Sequence, residues 1–228
     1  MKILSVDTAT EACSAALNID GEIHSIFELA PRVHTKLILS MVQNLIEQAG
    51  IEIADLDALA FGRGPGSFTG VRIATGVVHG LAFAADLPVI PISTLAAIAQ
   101  STYTDHSHAN VVAGLDARMG GIYWGCYQLA ENGLMQLSGE EHVNSPGEID
   151  LPEGEWSAAG TAWGVYGAVL EQKLQGRLLG RYPDYLPHAA SMAQLAAYEY
   201  QQGNLLDAAK AQPVYLRNDV AKKAAGSK

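Results

Sequence analysis

Residues 2–21 read KILSVDTATEACSAALNIDG, and residues 111–133 read VVAGLDARMGGIYWGCYQLAENG. The two stretches follow one plan. Each opens with an apolar run that closes on an acid and passes through a few small or polar residues into a second strand-like run. Each then ends at a two-residue hairpin signal, Asp20-Gly21 or Asn132-Gly133. Asp7 and Asp116 hold corresponding places in the plan. Identity between the copies is low but the order of signals is specific, and a unit repeated in this way predicts two lobes of related topology facing a cleft.

Outward from the first copy, EIHSIFEL (residues 22–29) completes a meander of three strands. From residue 34 the period changes. Leu37, Ile38, Met41, Val42, Leu45 and Ile46 recur at helical spacing until Gly50, and Leu39 widens the apolar surface beyond what a helix on one sheet needs. Residues 58–62 read as a buried strand, 62–69 as a loop and 70–85 as a helix. Residues 88–93 read as a further strand, with Ser93 placed to cap a helix over 94–101. This order implies an α/β fold whose sheets are antiparallel at first and parallel later, with helices on their faces.

The polar stretch YTDHSHAN (103–110) marks a boundary between a first lobe over 1–104 and a second, reduced lobe over 105–228. In the second lobe, 156–160 read as a strand, 161–172 and 191–202 as helices, and PVYLR (213–217) as a short extended end. The basic tail AKKAAGSK (221–228) is too small and polar to build a core.

With 228 residues, 49% of them hydrophobic, the chain is expected to pack as a globular protein. No apolar run approaches the ~20 residues of a membrane span, and the opening KILSVD has no signal-peptide pattern, so a soluble, cytoplasmic protein is expected. Cys13 and Cys126 lie far apart, form no CxxC and read as small buried residues. Fourteen basic against 24 acidic residues give a net charge of −10, which disfavours an unaided grip on nucleic acid.

The loop GRGPGSFTG (62–70) fits neither GxxxxGK[ST] nor GxGxxG. Its glycines permit positive φ or close approach, and the helix that follows could offer amides to an anion; equally, Ser67 or Thr69 caps that helix. Asp7 and Asp116, with Thr8 and Thr10 as oxygen donors, could orient magnesium on the phosphates of ATP or ADP at a lobe or subunit junction. The alternative is that each acid only makes a turn with the amides after it. There is no HxxxH, HExxH or GxSxG, so a zinc or serine hydrolase has no ligand pair and no nucleophile elbow. Gly76 and Gly80 leave one helix face nearly bare, which suits close helix packing within the chain or against another.

SVDTATEACSAAL, FGRGPGSFTGVRIATGVVHGLAFAADLPVIPISTL, GLDARMGGIYWGCY and PVYLR together resemble the bacterial TsaB (YeaZ) family, from residue 2 to about residue 217. The resemblance implies the fold of the actin-like, sugar-kinase and Hsp70-like (ribonuclease H-like) superfamily, with two lobes of mixed sheets. It also implies a role in making threonylcarbamoyladenosine beside the anticodon of tRNAs that read codons beginning with A. The catalytic relative TsaD shares the RGPG block but carries a metal-binding HxxxH after the next strand. The corresponding positions here are Thr94 and Ile98, of which Ile98 cannot ligate a metal.

A non-catalytic partner of TsaD, acting also with the ATPase TsaE, is therefore expected, with tRNA contacted only indirectly or through the complex. The resemblance places the contact on the helices 34–49 and 70–85, and so on Leu37, Ile38, Met41, Leu45, Val71, Gly76 and Gly80. A homodimer through the same helices is expected when the partner is absent. The competing readings are an ATP-dependent kinase or ATPase using the cleft between Asp7 and Asp116, and a glycoprotease-like hydrolase.

Overall fold

In the computed structural model, which describes residues 1–174 and 176–217, the first apolar run is strand β1 (Lys2–Asp7). It pairs antiparallel with β2 (Ala12–Ile19), which pairs with β3 (Glu22–Leu29). The hairpin between β2 and β3 turns on Asp20 and Gly21, at φ 52° and 98°, the double positive φ that a two-residue hairpin with right-handed twist requires. Helix α1 (His34–Ala49) follows and stops at Gly50, which takes the left-handed conformation. It carries the chain across the sheet to β4 (Ala58–Gly64), parallel to β1. Helix α2 (Phe68–Ala85) then leads to β5 (Val89–Ser93), parallel to β4. The first sheet has the order β3-β2-β1-β4-β5.

After α3 (Thr94–His106) the plan repeats. Strands β6 (Asn110–Asp116), β7 (Ile122–Leu129) and β8 (Met135–Asn144) form an antiparallel meander. Strand β9 (Trp156–Ala159) then lies parallel to β6, and α4 (Thr161–Leu174) leads to β10 (Leu178–Tyr182), parallel to β9. The order β10-β9-β6-β7-β8 is the first sheet's order read from the other side. The chain thus has the two-lobed α/β architecture of the actin-like type, built from a duplicated unit.

Alternation along β1 sends Leu4 and Val6 to the face covered by α1 and α2, where they pack with Leu17, Ile38, Leu45, Phe61 and Val78. The other face, with Ile3, Ala60 and Ile92, is covered by a late element, α5 (Ala189–Gln201), through Met192 and Ala196. In the second lobe Val112, Ile122, Trp156, Trp163 and Leu170 form the core under α4. Helix α3 supplies Leu95, Ile98 and Ala99 to the opposite face of that sheet. Each lobe therefore borrows a helix from the other half of the sequence.

Several boundaries differ from the sequence reading. Helix α3 runs on to His106 and ends at left-handed Ser107, so the first residues of YTDHSHAN are helical. Helix α5 belongs by packing to the first sheet although it follows residue 105. Strands β8 and β10 have no counterpart in the sequence reading. Among the described helices α2 alone is long and apolar enough, by length and composition, to cross a membrane. It instead lies along β4, with Val71, Ala74, Val78 and Ala82 buried. The tail 221–228 lies outside the described residues.

Candidate functional site

The glycine-rich loop between β4 and α2 is seated on the turn that follows β1. Gly64 has φ +97°, which only glycine takes without strain, and Ser67 caps α2 by accepting from the amide of Gly70. The amide of Ser67 donates to the carbonyl of Ala9 at 2.7 Å, and the Thr8 hydroxyl donates to the carbonyl of Gly70 at 2.6 Å. A Cβ on Gly66 would strike the backbone of Ala9, and one on Gly70 would strike the carbonyl of Thr8. The glycines thus bring two backbone segments into contact, and the Thr8 hydroxyl is spent on that contact.

Asp7 and Asp116 do not face one another. Asp7 shares the pleat of Ile3 and Ser5 and is fully buried. Its Oδ1 accepts from the amide of Ala9 at 3.1 Å, while Oδ2 has no partner and lies against Gly62, where an added Cβ would meet it and also the Met192 side chain of α5. That burial pushes the carboxyl up to about 7, against which the bond from Ala9 works only in part. Asp116 lies instead on the α4 side of its sheet, like Gly114. It accepts from the Arg118 amide at 2.9 Å, from Arg118 Nη1 at 3.0 Å and from the Tyr166 hydroxyl at 3.2 Å. A one-residue offset between the copies turns corresponding acids to opposite faces.

A cleft of about 1010 Å³ separates the lobes, lined by Thr10, Glu11, Ser67, Asp116, Arg118 and Arg217 among others. Asp7 and Thr8 do not line it, so they do not fit a magnesium–nucleotide group held between Asp7 and Asp116. Among the described residues no three His, Cys, Asp or Glu side chains are grouped to hold a metal. Thr94 and Ile98 are both fully buried, and Ile98 packs in the core between α3 and the second sheet. Arg63 of the RGPG block pairs with Glu141 of β8 at 2.9 Å.

The contact residues expected on α1 and α2 divide sharply. Ile38, Met41 and Leu45 are buried in the core of the first lobe, and Val71, also buried, lines the cleft between the lobes, so none of the four lies on the outer surface of the two helices. The helical spacing of Ile38, Met41 and Leu45 marks the stripe that packs on the sheet. Leu37 is half-buried, while Gly76 and Gly80 are exposed, with nothing within 4 Å of an added Cβ. Between the two helices runs a shallow groove of about 440 Å³, lined by Leu39, Arg72, Ile73, Gly76, Val77 and Gly80. Leu39 is 52% exposed, and Phe83, on the same helix as the two glycines, is 79% exposed. Phe83 was missed by the sequence reading, although its place off the buried Ala74–Val78–Ala82 stripe is a readable signal.

A family model described as "TsaD: tRNA N6-adenosine threonylcarbamoyltransferase" matches residues 25–225. The Escherichia coli protein called "tRNA threonylcarbamoyladenosine biosynthesis protein TsaB" is 44% identical over 225 residues, covering 97% of this chain and 96% of its own length. A Haemophilus influenzae protein of the same name is 43% identical over 231 residues, 96% of this chain and 95% of its own length. The solved structure of "YeaZ from Pseudomonas aeruginosa" superposes with a TM-score of 0.88 at 44% identity, covering 94% of this chain and 99% of that one. Since identity at this level extends over almost the whole of both chains and the fold coincides, the chain belongs to the TsaB (YeaZ) family.

Proposed function

We propose that this chain acts in the formation of threonylcarbamoyladenosine beside the tRNA anticodon, as the non-catalytic partner of TsaD and together with TsaE. The observation that carries this reading is the groove between α1 and α2, where Gly76 and Gly80 leave a bare strip between exposed Leu39 and the side chains of Ile73 and Val77. Such a strip lets a helix from another chain approach closely and bury apolar area. TsaD supplies the metal and transfers threonylcarbamoyl from its adenylate to the base. This chain stabilises and positions TsaD through the first lobe.

The inward turn of Asp7 and the internal use of the Thr8 hydroxyl speak against a nucleotide-hydrolysing cleft. The net charge of −10 agrees with a subunit that reaches tRNA only through the complex, in the cytoplasm where that substrate is modified. In the absence of TsaD the same groove serves a second copy of the chain, so the homodimer competes with the complex.

The test is reconstitution. Mixed with TsaD, the chain should elute as a stable complex, and transferase activity should fall when it is left out. Two separate elution peaks, or activity indifferent to its omission, would overturn the proposal.

A further inference from the structure

The last described residues cross from one lobe to the other. Their root is fixed to the first lobe, where Leu206 bridges Val89 of β5 and Ala211 is buried in the core under α1 and α2. From there the amide of Val214 donates to the carbonyl of Arg63 at 2.8 Å. The hydroxyl of Tyr215 accepts from Nε of Arg72 at 2.8 Å, and its ring lies 5.8 Å from that of Phe68. All of these partners belong to the first lobe.

Arg217 alone reaches the second. Its Nη1 donates to the carbonyl of Ala117 at 3.2 Å and its Nη2 to the carbonyl of Arg118 at 3.4 Å, in the turn between β6 and β7. The guanidinium occupies the space over Gly121, where a Cβ would meet it directly. Residues 214–217 also form part of the cleft wall, so the segment spans the opening between the lobes.

We propose that residues 213–217 are a strap that holds the two lobes in one relation and closes the cleft, with Arg217 as its fastening on the second lobe. The adjacent bridge from Arg118 to Glu11 at 3.1 Å is a weaker companion, since both its side chains are largely exposed. The bare backbone over Gly121 is what admits the guanidinium. The inference does not depend on TsaD and is tested on the chain alone.

Hydrogen exchange of the full chain reads the strap directly, because cleft-lining amides exchange faster when the lobes part. Arg217→Ala removes the fastening, while Gly121→Ala evicts it without altering a strap residue. Each variant should raise exchange about fivefold or more in peptides covering 8–11, 65–68 and 115–123, with β1 and β6 still protected. The double variant should exchange no faster than either single one, because both act on the same contact. Should Arg217→Ala also expose the core strands, Gly121→Ala decides the matter by the same readout. Unchanged exchange in the cleft, a rise confined to 213–217, or effects that add in the double variant would each overturn the strap.

Discussion

Arg63 near the end of β4 and Glu141 on β8 form an ion pair of 2.9 Å that joins the two lobes. Glu141 is 5% exposed and also accepts from the hydroxyls of Tyr127, at 2.7 Å, and Ser93. A carboxylate so enclosed depends on its one cation, because removing Arg63 leaves a buried charge held by those two hydroxyls alone. Arg63→Ala should therefore destabilise the fold by about 2–4 kcal/mol, and adding Glu141→Gln should recover part of the loss. Urea midpoints of the three variants check this, and a silent Arg63→Ala would refute it.

Asp7 makes stability depend on pH. Its ordinary value of 3.8 is pushed up to about 7 by burial, so the folded chain keeps a proton that the unfolded chain releases. The cost to stability is absent below about pH 4, grows as pH rises, and is complete above about pH 7. Asp7→Asn keeps an oxygen for the amide of Ala9 and carries no charge. Its stability relative to the native chain should rise with pH, by on the order of 2–4 kcal/mol between pH 4 and pH 8. A difference that stays flat across that range, measured by urea unfolding, would show that Asp7 is not the source.

The inner and outer faces of α1 should separate stability from association. Ile38→Ala opens a cavity in the first core and should cost about 2–4 kcal/mol while leaving TsaD affinity intact. Leu39→Asp should change stability by less than about 0.5 kcal/mol and weaken TsaD binding about tenfold or more. Calorimetric titration alongside thermal unfolding distinguishes them, and equal affinity for Leu39→Asp would remove the groove from the interface.

Two glycines of one helix should respond oppositely to alanine. Gly76 has open space around it, so Gly76→Ala gains helix propensity and should stabilise by about 0.5–1 kcal/mol. Gly70 lies against the Thr8 carbonyl, so Gly70→Ala forces the loop from the turn after β1 and should cost about 1–3 kcal/mol. Thermal midpoints give both signs, and a stabilising Gly70→Ala would contradict the close seating of loop on turn.

The duplicated plan was legible because strand alternation and the Asp20-Gly21 hairpin are local, and so were α1 and the cap at Ser93, while Ser67 was one of two candidate caps. The second hairpin, read as a two-residue turn at Asn132-Gly133, is a longer loop over 130–134 between Leu129 and Met135. Strand β8 was not, since MQLSGEEHVN is a largely exposed edge strand whose polar residues give no apolar alternation. The helical character of α5 was plain, but its destination was not. Whether Met192 packs on Ile3 and Ala60 or on the second sheet depends on contacts between residues far apart in the chain, which no periodicity records. For the same reason Ile38, Met41 and Leu45 passed as a surface while Leu39 was only an excess: a helix pattern marks an apolar stripe but not what lies against it.

The return of α5 to the first sheet bears on how the protein is made. A ribosome delivers β1 to β5 early, yet the face bearing Ile3, Ala60 and Ile92 stays uncovered until residues 189–201 have emerged. The amino-terminal half is therefore no independent folding unit during synthesis. Its half-covered sheet is a client for chaperones, and a message cut short before α5 yields a sticky product rather than a smaller working lobe.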